Sequence, residues 1–180
     1  SSDVCSSDPG EPKQDHLEPL VPPPEEEVEE PQEGRLAEYA VGRSLGAGAF
    51  AEVRLGTRRA DGQQVALKFV DKERSDAAAV ALELDTLRRV GRHPHVVALV
   101  DDFELAASWV MALELISGGE VFDRICEKGP YSERDAALTV RQVAEALEHV
   151  HAAGLAHRDL KPENLLLVDG SEHAAVKLCD

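Results

Sequence analysis

Hydrophobic and polar residues alternate between Tyr39 and Asp71, in the run YAVGRSLGAGAFAEVRLGTRRADGQQVALKFVD. A period of two is typical of strands that bury one face, and the pair Asp61-Gly62 is typical of a tight turn between two such strands. The pattern therefore predicts an antiparallel hairpin, or more than one, in this part of the chain.

A helical spacing follows these strands. In RSDAAAVALELDTLRRVGRHP the apolar residues Val80, Leu84 and Leu87 recur at i, i+4 and i+7. Ser75 is placed to cap this helix and Gly91 to end it. Two short apolar runs, HVVALVDDFE and SWVMALELI, come next.

Helices dominate the second half of the chain. Gly118-Gly119 introduce a short helix, EVFDRICEK, which Gly129-Pro130 end. Ser132 and Asp135 have the spacing of a capping box before the longest helix, which Gly154 ends. A β-rich half joined to a helical half by a Gly-containing link predicts an α+β chain with two lobes and a cleft between them.

Composition divides the chain near residue 35. Residues 1–35 hold seven of the ten prolines and eleven acidic residues, against only Lys13 and Arg35. We expect 1–35 to be a disordered acidic arm, because it cannot bury enough apolar surface to offset the entropy of ordering. A docking segment for a basic partner is the alternative. Residues 36–180 contain enough Val, Leu and Ala for a core.

Charge, hydropathy and cysteines narrow the class of protein. The net charge of -16 gives no indication of nucleic acid binding. No apolar run has the length of a membrane-spanning helix, and the start lacks the blocks of a signal peptide. Cys5, Cys126 and Cys179 are isolated and odd in number, which argues against a disulfide framework and favours a reducing compartment. We expect a cytoplasmic protein without membrane contact.

Three segments carry candidate chemistry, and the first is the glycine pair in LGAGAFAEV. Gly46 and Gly48 would let backbone amides approach a phosphate. The same spacing fits a dinucleotide-binding fingerprint, which needs a helix to begin at the loop. Because Val53 and Leu55 continue a strand alternation after the loop, the dinucleotide alternative is disfavoured.

The second segment is VALKF, in which Lys68 shares a strand face with small apolar side chains. A buried ammonium needs an anion, and Glu83 in the following helix or a phosphate could supply it; a solvated lysine is the alternative. The third segment is HRDLKPEN, with Asp159, Lys161 and Asn164 at i, i+2 and i+5. Since Pro162 excludes a helix interior, these groups must converge through a loop.

Together, these residues resemble the signature set of protein kinases, in its order along the chain. The matching elements are Gly46, Gly48 and Val53, then VALK ending at Lys68, then His157, Arg158, Asp159 and Asn164. The resemblance covers residues 36–180 and implies a bilobal kinase fold. It implies an antiparallel N-lobe with one helix over about 36–115, a hinge over about 114–119 and a partial helical C-lobe over 120–180. Asp180 stands where the family's Asp-Phe-Gly motif begins.

The resemblance also implies ATP and Mg²⁺ as cofactors and a role for each residue. Lys68, held by Glu83, would grip the α- and β-phosphates. Asp159 would accept the proton of the substrate hydroxyl and Lys161 would steady the γ-phosphate. Asn164 and Asp180 would bind Mg²⁺.

The implied nucleotide pocket combines the glycine loop, apolar walls, a gatekeeper at Leu113 and backbone groups of the hinge. Besides Lys68, its residues are Leu45, Gly46, Ala47, Gly48, Ala49, Phe50, Val53, Ala66, Leu113, Glu114, Ile116, Glu120 and Leu166. Ala51 replaces the family's third loop glycine, and the stretch from Lys68 to Glu83 is shorter than in many relatives.

Two further features resemble particular kinases. The segment Lys161-Pro162-Glu163 resembles that of serine/threonine kinases. The stretch LELISGGEVFDRICEKGPYSERDAA together with GLAHRDLKPENLLL resembles the calcium/calmodulin-dependent group. The resemblance implies protein substrates with Ser or Thr, and arginine recognition by Glu120 and Glu163, for which surface acids or a helix cap are the alternative. Arg158 implies control by activation-loop phosphorylation. Regulation by calcium or calmodulin would act through segments beyond residue 180.

A kinase-like scaffold without activity is the second hypothesis for the whole protein. Asp159, Asn164 and Asp180 together with Lys68 favour an active enzyme. Because the 180 residues stop at Asp180, we expect this polypeptide alone to be poorly stable and unable to transfer phosphate.

Overall fold

The computed structural model describes residues 33–179, so most of the predicted acidic arm and Asp180 lie outside the described residues. The first described element is a single helical turn, α1 (Glu33–Leu36). Arg35 in this turn donates to both carboxylate oxygens of Asp101, at 2.7 and 2.6 Å. The sequence assigned Arg35 to the arm, but this contact places it on the folded part, which therefore begins before residue 36.

Within the described residues, five antiparallel strands form one sheet in the order β1-β2-β3-β5-β4. The strands are β1 (Tyr39–Ala47), β2 (Ala51–Arg58), β3 (Gln64–Asp71), β4 (Leu99–Glu104) and β5 (Ser108–Glu114). The predicted turn lies between β2 and β3, where Gly62 has a φ of 74° and the Arg58 guanidinium donates to the Asp61 carboxylate. Alternate residues of β3 and β5, such as Val65, Leu67 and Val110, are buried in the core of this sheet.

The helix α2 (Ala77–Val90) lies between β3 and β4 in the chain. Val80 is buried beside Val70 and Met111, with Leu84 and Leu87 packed against them. The N-cap is Asp76, which accepts a hydrogen bond from the Ala78 N–H at 3.0 Å. The expectation that Ser75 caps the helix was wrong, because the carboxylate of the next residue reaches the free N–H first.

The second half contains two helices and a small sheet. These are α3 (Val121–Lys128), α4 (Glu133–Ala152), β6 (Leu165–Leu167) and β7 (Val176–Leu178), with a single 3-10 turn (Pro162–Asn164) before β6. The predicted capping box is present, since the Ser132 hydroxyl accepts from the Asp135 N–H at 3.1 Å. Ala146 and Val150 of α4 pack against β7 and the α2–β4 loop. None of the helices within residues 33–179 is long and apolar enough to cross a membrane.

The link between the sheet and α3 depends on Gly118. Its N–H donates to the Leu167 carbonyl at 2.8 Å, and the Leu167 N–H donates in return to the Gly119 carbonyl, also at 2.8 Å. A Cβ on Gly118 would lie 2.1 Å from the Asp169 carbonyl oxygen and 2.5 Å from that of Leu167. Only glycine allows this approach, so the Gly-Gly pair fixes how the sheet joins β6.

Candidate active site

The glycine-rich segment is the tip of the β1–β2 hairpin. Gly46 and Ala47 end β1, and residues 48–50 form the turn, in which the Gly48 N–H donates to the Ala51 carbonyl at 2.8 Å. Phe50 at the tip is 61% exposed. The segment joins two strands rather than a strand and a helix, which removes the dinucleotide-binding alternative.

Lys68 lies in the middle of β3, opposite Val53 of β2 and Met111 of β5. Its Nζ is 2.8 Å from Oε1 of Glu83 on α2, and both side chains are partly buried. The central strand thus carries an ammonium that the helix orients with a carboxylate. This is the pairing that the sequence proposed for these two residues.

A cavity of about 450 Å³ opens between the hairpin tip and α2. Its lining includes Gly48, Phe50, Lys68, Glu83 and Arg74. Lys68 and Arg74 suit an anionic group such as a phosphate, because charged donors bind phosphate oxygens. The carboxylates of Glu83 and Asp76 line the same cavity.

The predicted apolar walls fall into two groups. On the sheet, Ala66 lies directly opposite both Leu55 and Leu113, and Leu45 on β1 is 37% exposed. On the other side of the Gly-Gly link, Leu166 of β6 forms an isolated bridge with Glu120 at the start of α3. The Glu120 carboxylate makes no capping hydrogen bond to α3, which argues against the helix-cap alternative and leaves the surface-acid alternative open.

The hinge residue Glu114 is more restricted than the sequence indicated. Its N–H donates to the Ala98 carbonyl at 2.8 Å, and its carboxylate accepts from Lys177 Nζ at 2.8 Å. Of the two backbone groups of Glu114, only the carbonyl is then left to accept a hydrogen bond from the base of a nucleotide. Ile116 lies in the segment that follows β5 and is partly buried.

Asp159, Lys161 and Asn164 converge as predicted for a loop. Lys161 Nζ donates to Asp159 Oδ2 at 2.7 Å, and Asn164 Nδ2 donates to the Asp159 carbonyl and to Oδ2, at 2.9 and 3.2 Å. The hydrogen bond from Lys161, with that from Asn164, lowers the pKa of Asp159 below its ordinary value. Asp159 is therefore an ionised hydrogen-bond acceptor at neutral pH, presented on an exposed loop.

Local backbone geometry holds this loop in place. Arg158 has a φ of 66°, the left-handed region that side chains seldom adopt. His157 Nε2 donates to the Cys179 carbonyl at 3.1 Å, while its Nδ1 accepts from the Asp159 N–H at 3.3 Å. The Cys179 N–H in turn donates to the Asn164 carbonyl at 3.0 Å. These bonds join the Asp159 loop to the chain that follows β7.

Asn164 fits a hard cation by its chemistry. Its side chain is 8% exposed, and both of its Nδ2 bonds go to Asp159. The oxygen Oδ1 is then the atom that Asn164 can offer to Mg²⁺, which prefers oxygen ligands. The other predicted ligand, Asp180, lies outside the described residues.

The structure adds a charged residue that sequence reasoning missed. Lys177 of β7 is 7% exposed, and its Nζ contacts the carboxylate of Glu114 and the carbonyls of His93 and Val96. The one signal for it in the sequence is a lysine inside the apolar run AVKLC. Its partners lie more than 60 residues away, so the run could not reveal them.

Comparisons with known proteins agree on one family. The model for the protein kinase domain matches residues 39–180. The chain is 40% identical over 154 residues to a probable myosin light chain kinase of Dictyostelium discoideum, covering 86% of this chain and 49% of the relative. It is 44% identical over 144 residues to calcium/calmodulin-dependent protein kinase type 1B of Rattus norvegicus, covering 79% and 42%.

Among solved structures, the crystal structure of Rad53 1-466 in complex with AMP-PNP matches with a TM-score of 0.75 and 31% identity. The match covers 79% of this chain and 38% of that one. This likeness confirms the predicted architecture of an antiparallel sheet followed by helices. The chain spans less than half the length of each of these three proteins.

Proposed function

This chain belongs to the protein kinase family, whose domain model matches residues 39–180, and we propose that the protein transfers the γ-phosphate of ATP to serine and threonine hydroxyls of protein substrates. The observation that carries the proposal is the pair of preassembled groups, Lys68 with Glu83 and Asp159 with Lys161 and Asn164. The names of two relatives, a probable myosin light chain kinase and a calcium/calmodulin-dependent protein kinase, support it.

On the sheet side, Lys68 neutralises phosphate charge. Glu83 holds its ammonium at the edge of the cavity under the hairpin tip, so little reorganisation is needed when charge develops. Phosphoryl transfer passes through a loose, highly charged transition state, and fixed cations and amides lower its energy. The small residues 46–49 let the backbone come close to the phosphates.

On the helical side, Asp159 orients the attacking hydroxyl. Its lowered pKa keeps the carboxylate ionised at neutral pH, so it accepts a hydrogen bond from the substrate and later takes its proton. Lys161 Nζ donates to Oδ2 of Asp159, the oxygen that also accepts from Asn164. Lys161 thereby places a second cation beside the transferred phosphoryl group. When bound, Mg²⁺ supplies neutralisation of the phosphate oxygens; Asn164 and Asp180 would hold it.

Substrate choice and control follow from the same resemblance. We propose that Glu120 and Glu163 pair with an arginine of the substrate, which the free Glu120 carboxylate supports. Regulation by calcium or calmodulin is proposed because calcium/calmodulin-dependent protein kinase type 1B is 44% identical to the chain. We also propose a cytoplasmic location.

The test is phosphate transfer from ATP to a protein or peptide by the full-length protein, in the presence of Mg²⁺. Replacement Asp159→Asn should reduce the rate by about 100-fold or more, the contribution of a positioned general base. Asp169→Asn is the matched control, because Asp169 accepts from the Ser171 N–H in the β6–β7 turn and an amide oxygen can do the same. A scaffold without activity would show no transfer by either the parent or the variants.

The 180-residue chain belongs in the same assay. The expectation that it transfers no phosphate by itself remains a prediction, and measurable transfer by the purified chain would contradict it.

A further inference from the structure

Three histidines meet where the α2–β4 loop packs on α4, away from the proposed active site. The rings of His93 and His149 stack, with centroids 4.6 Å apart and planes 17° from parallel. His95 meets His93 edge-on, at 5.8 Å. We refer to His93, His95 and His149 as the histidine cluster. Within residues 33–179 no group of three or more His, Cys, Asp or Glu side chains is arranged to hold a metal ion, so the cluster needs another explanation.

The hydrogen bonds of the histidine cluster require a neutral His93. Its Nδ1 accepts from the N–H of His95 at 3.1 Å, so this nitrogen carries no proton. Carbonyls fix the other two rings: His149 Nε2 donates to Val90 at 2.7 Å, and His95 Nδ1 donates to Val176 at 2.9 Å. A proton on Nδ1 of His93 would remove the His95 bond and place a cation against the face of a second imidazole.

The cationic groups around the cluster disfavour that proton, whereas the Glu145 carboxylate favours it more weakly than His149 and His95 oppose it. Lys177 of β7 donates to the His93 carbonyl, and Arg92 precedes His93 in the loop. The carboxylate of Glu145 on α4, 3.5 Å from His95 Nε2, is already paired with Arg141. Glu114 at the hinge is likewise paired with Lys177. Burial, and then the charges of His149 and His95, lower the pKa of His93 below its ordinary value of 6.5.

The same loop supports the hinge and β7. The carbonyls of His93 and Val96 hold Lys177, whose Nζ reaches Glu114. The Leu178 N–H donates to His95, and the Val97 N–H donates to Leu178, both at 2.9 Å. A displacement of this loop would therefore reach two places at once. One is the hinge, and the other is the strand that precedes Cys179.

We propose that the histidine cluster is a proton-sensitive switch, in which protonation at mildly acidic pH separates the α2–β4 loop from α4 and loosens the Lys177 contact to the hinge. Neutral His93 contributes stability that is fully present above about pH 6.5, the ordinary pKa of histidine, and is lost as the pH falls below it. The effect on nucleotide binding rests on the proposed function; the effect on the hinge does not.

The test replaces the rings with side chains that keep the hydrogen bonds but do not titrate. In the double variant His93→Asn and His149→Gln, the Asn oxygen can accept from the His95 N–H and the Gln amide can donate to Val90. His151→Gln is the matched control, since His151 is exposed on the same helix. The full-length protein is unfolded with urea at pH 7.5, 6.5 and 5.5.

Between pH 7.5 and 5.5 we expect the folding equilibrium constant of the wild type and of His151→Gln to fall up to about tenfold more than that of the double variant, because His93 binds a proton more readily in the unfolded chain than in the folded protein. Equal dependence on pH in all three would overturn the proposal. If the double variant fails to fold, ¹³C NMR of the histidine rings in the wild type measures the pKa of His93 instead. A pKa of about 6.5, the ordinary value, would also overturn the proposal.

Two readouts test the connection to the hinge. Hydrogen-exchange protection of segment 112–119, corrected for the intrinsic rate, should fall at pH 5.5 in the wild type and stay unchanged in the double variant. Affinity for a fluorescent ATP analogue should fall in parallel. Unchanged hydrogen-exchange protection of segment 112–119 between the two pH values would contradict the switch. Absence of nucleotide binding at every pH would contradict the proposed function, and the switch would then be tested by hydrogen exchange.

Discussion

Replacing Gly118 by alanine is the sharpest test of how the two halves of the domain are joined. The added Cβ would lie 2.1 Å from the Asp169 carbonyl oxygen, which is backbone and cannot rotate away. The Gly118 link and the chain at the end of β6 must separate, which weakens the bonds from the Gly118 N–H to Leu167 and from the Ser117 N–H to Val168, at 2.8 and 3.2 Å.

Each backbone hydrogen bond contributes about 0.5–1.5 kcal/mol net. The two weakened hydrogen bonds and the steric strain that remains should together lower the free energy of unfolding of Gly118→Ala by about 2–4 kcal/mol. For a domain of this size the midpoint of thermal unfolding should fall by about 5–12 °C. Urea unfolding and differential scanning calorimetry measure the two quantities.

Gly170→Ala is the control, because a Cβ at Gly170 meets nothing within 4 Å. Gly170 follows Asp169 in the β6–β7 turn, and its φ is outside the left-handed range. Because alanine reduces the conformational entropy of the unfolded chain, we expect the control to be as stable as the wild type or up to about 1 kcal/mol more stable. If Gly118→Ala unfolds within about 0.5 kcal/mol of the control, the close approach inferred for the hinge is wrong.

Further predictions concern Lys68 and Asp61. Lys68→Met should weaken binding of ATP by the full-length protein at least about tenfold, since a charge-assisted contact is lost. Lys128→Met, at an exposed position in the last turn of α3, should leave binding as in the wild type; equal losses would contradict the role of Lys68. The hydrogen bond from Arg58 lowers the pKa of Asp61 to about 2, from 3.8. Stability from this carboxylate is thus present above pH 3.8 and lost as the pH falls towards 2, and urea unfolding of Asp61→Asn over this range should lack that loss.

Local patterns determined the elements of this protein and the identity of its candidate site. The alternation from Tyr39 to Asp71, the capping box at Ser132 and the glycine at 91 each act over a few residues, so they can be read directly and were found in place. The Asp159 loop is equally local, because its partners lie within five residues.

Two kinds of feature depend on the tertiary structure. One is which of two neighbouring residues caps a helix, and the other is which residues far apart in the chain are in contact. Asp76 rather than Ser75 caps α2 because its carboxylate reaches the Ala78 N–H. Lys177 and His93 meet across 84 residues, and His149 stacks on His93 across 56. A sequence fixes how each segment folds through neighbours along the chain, whereas the neutral state of His93 and the burial of Lys177 depend on which distant carbonyls and charges the packed elements bring within hydrogen-bonding distance.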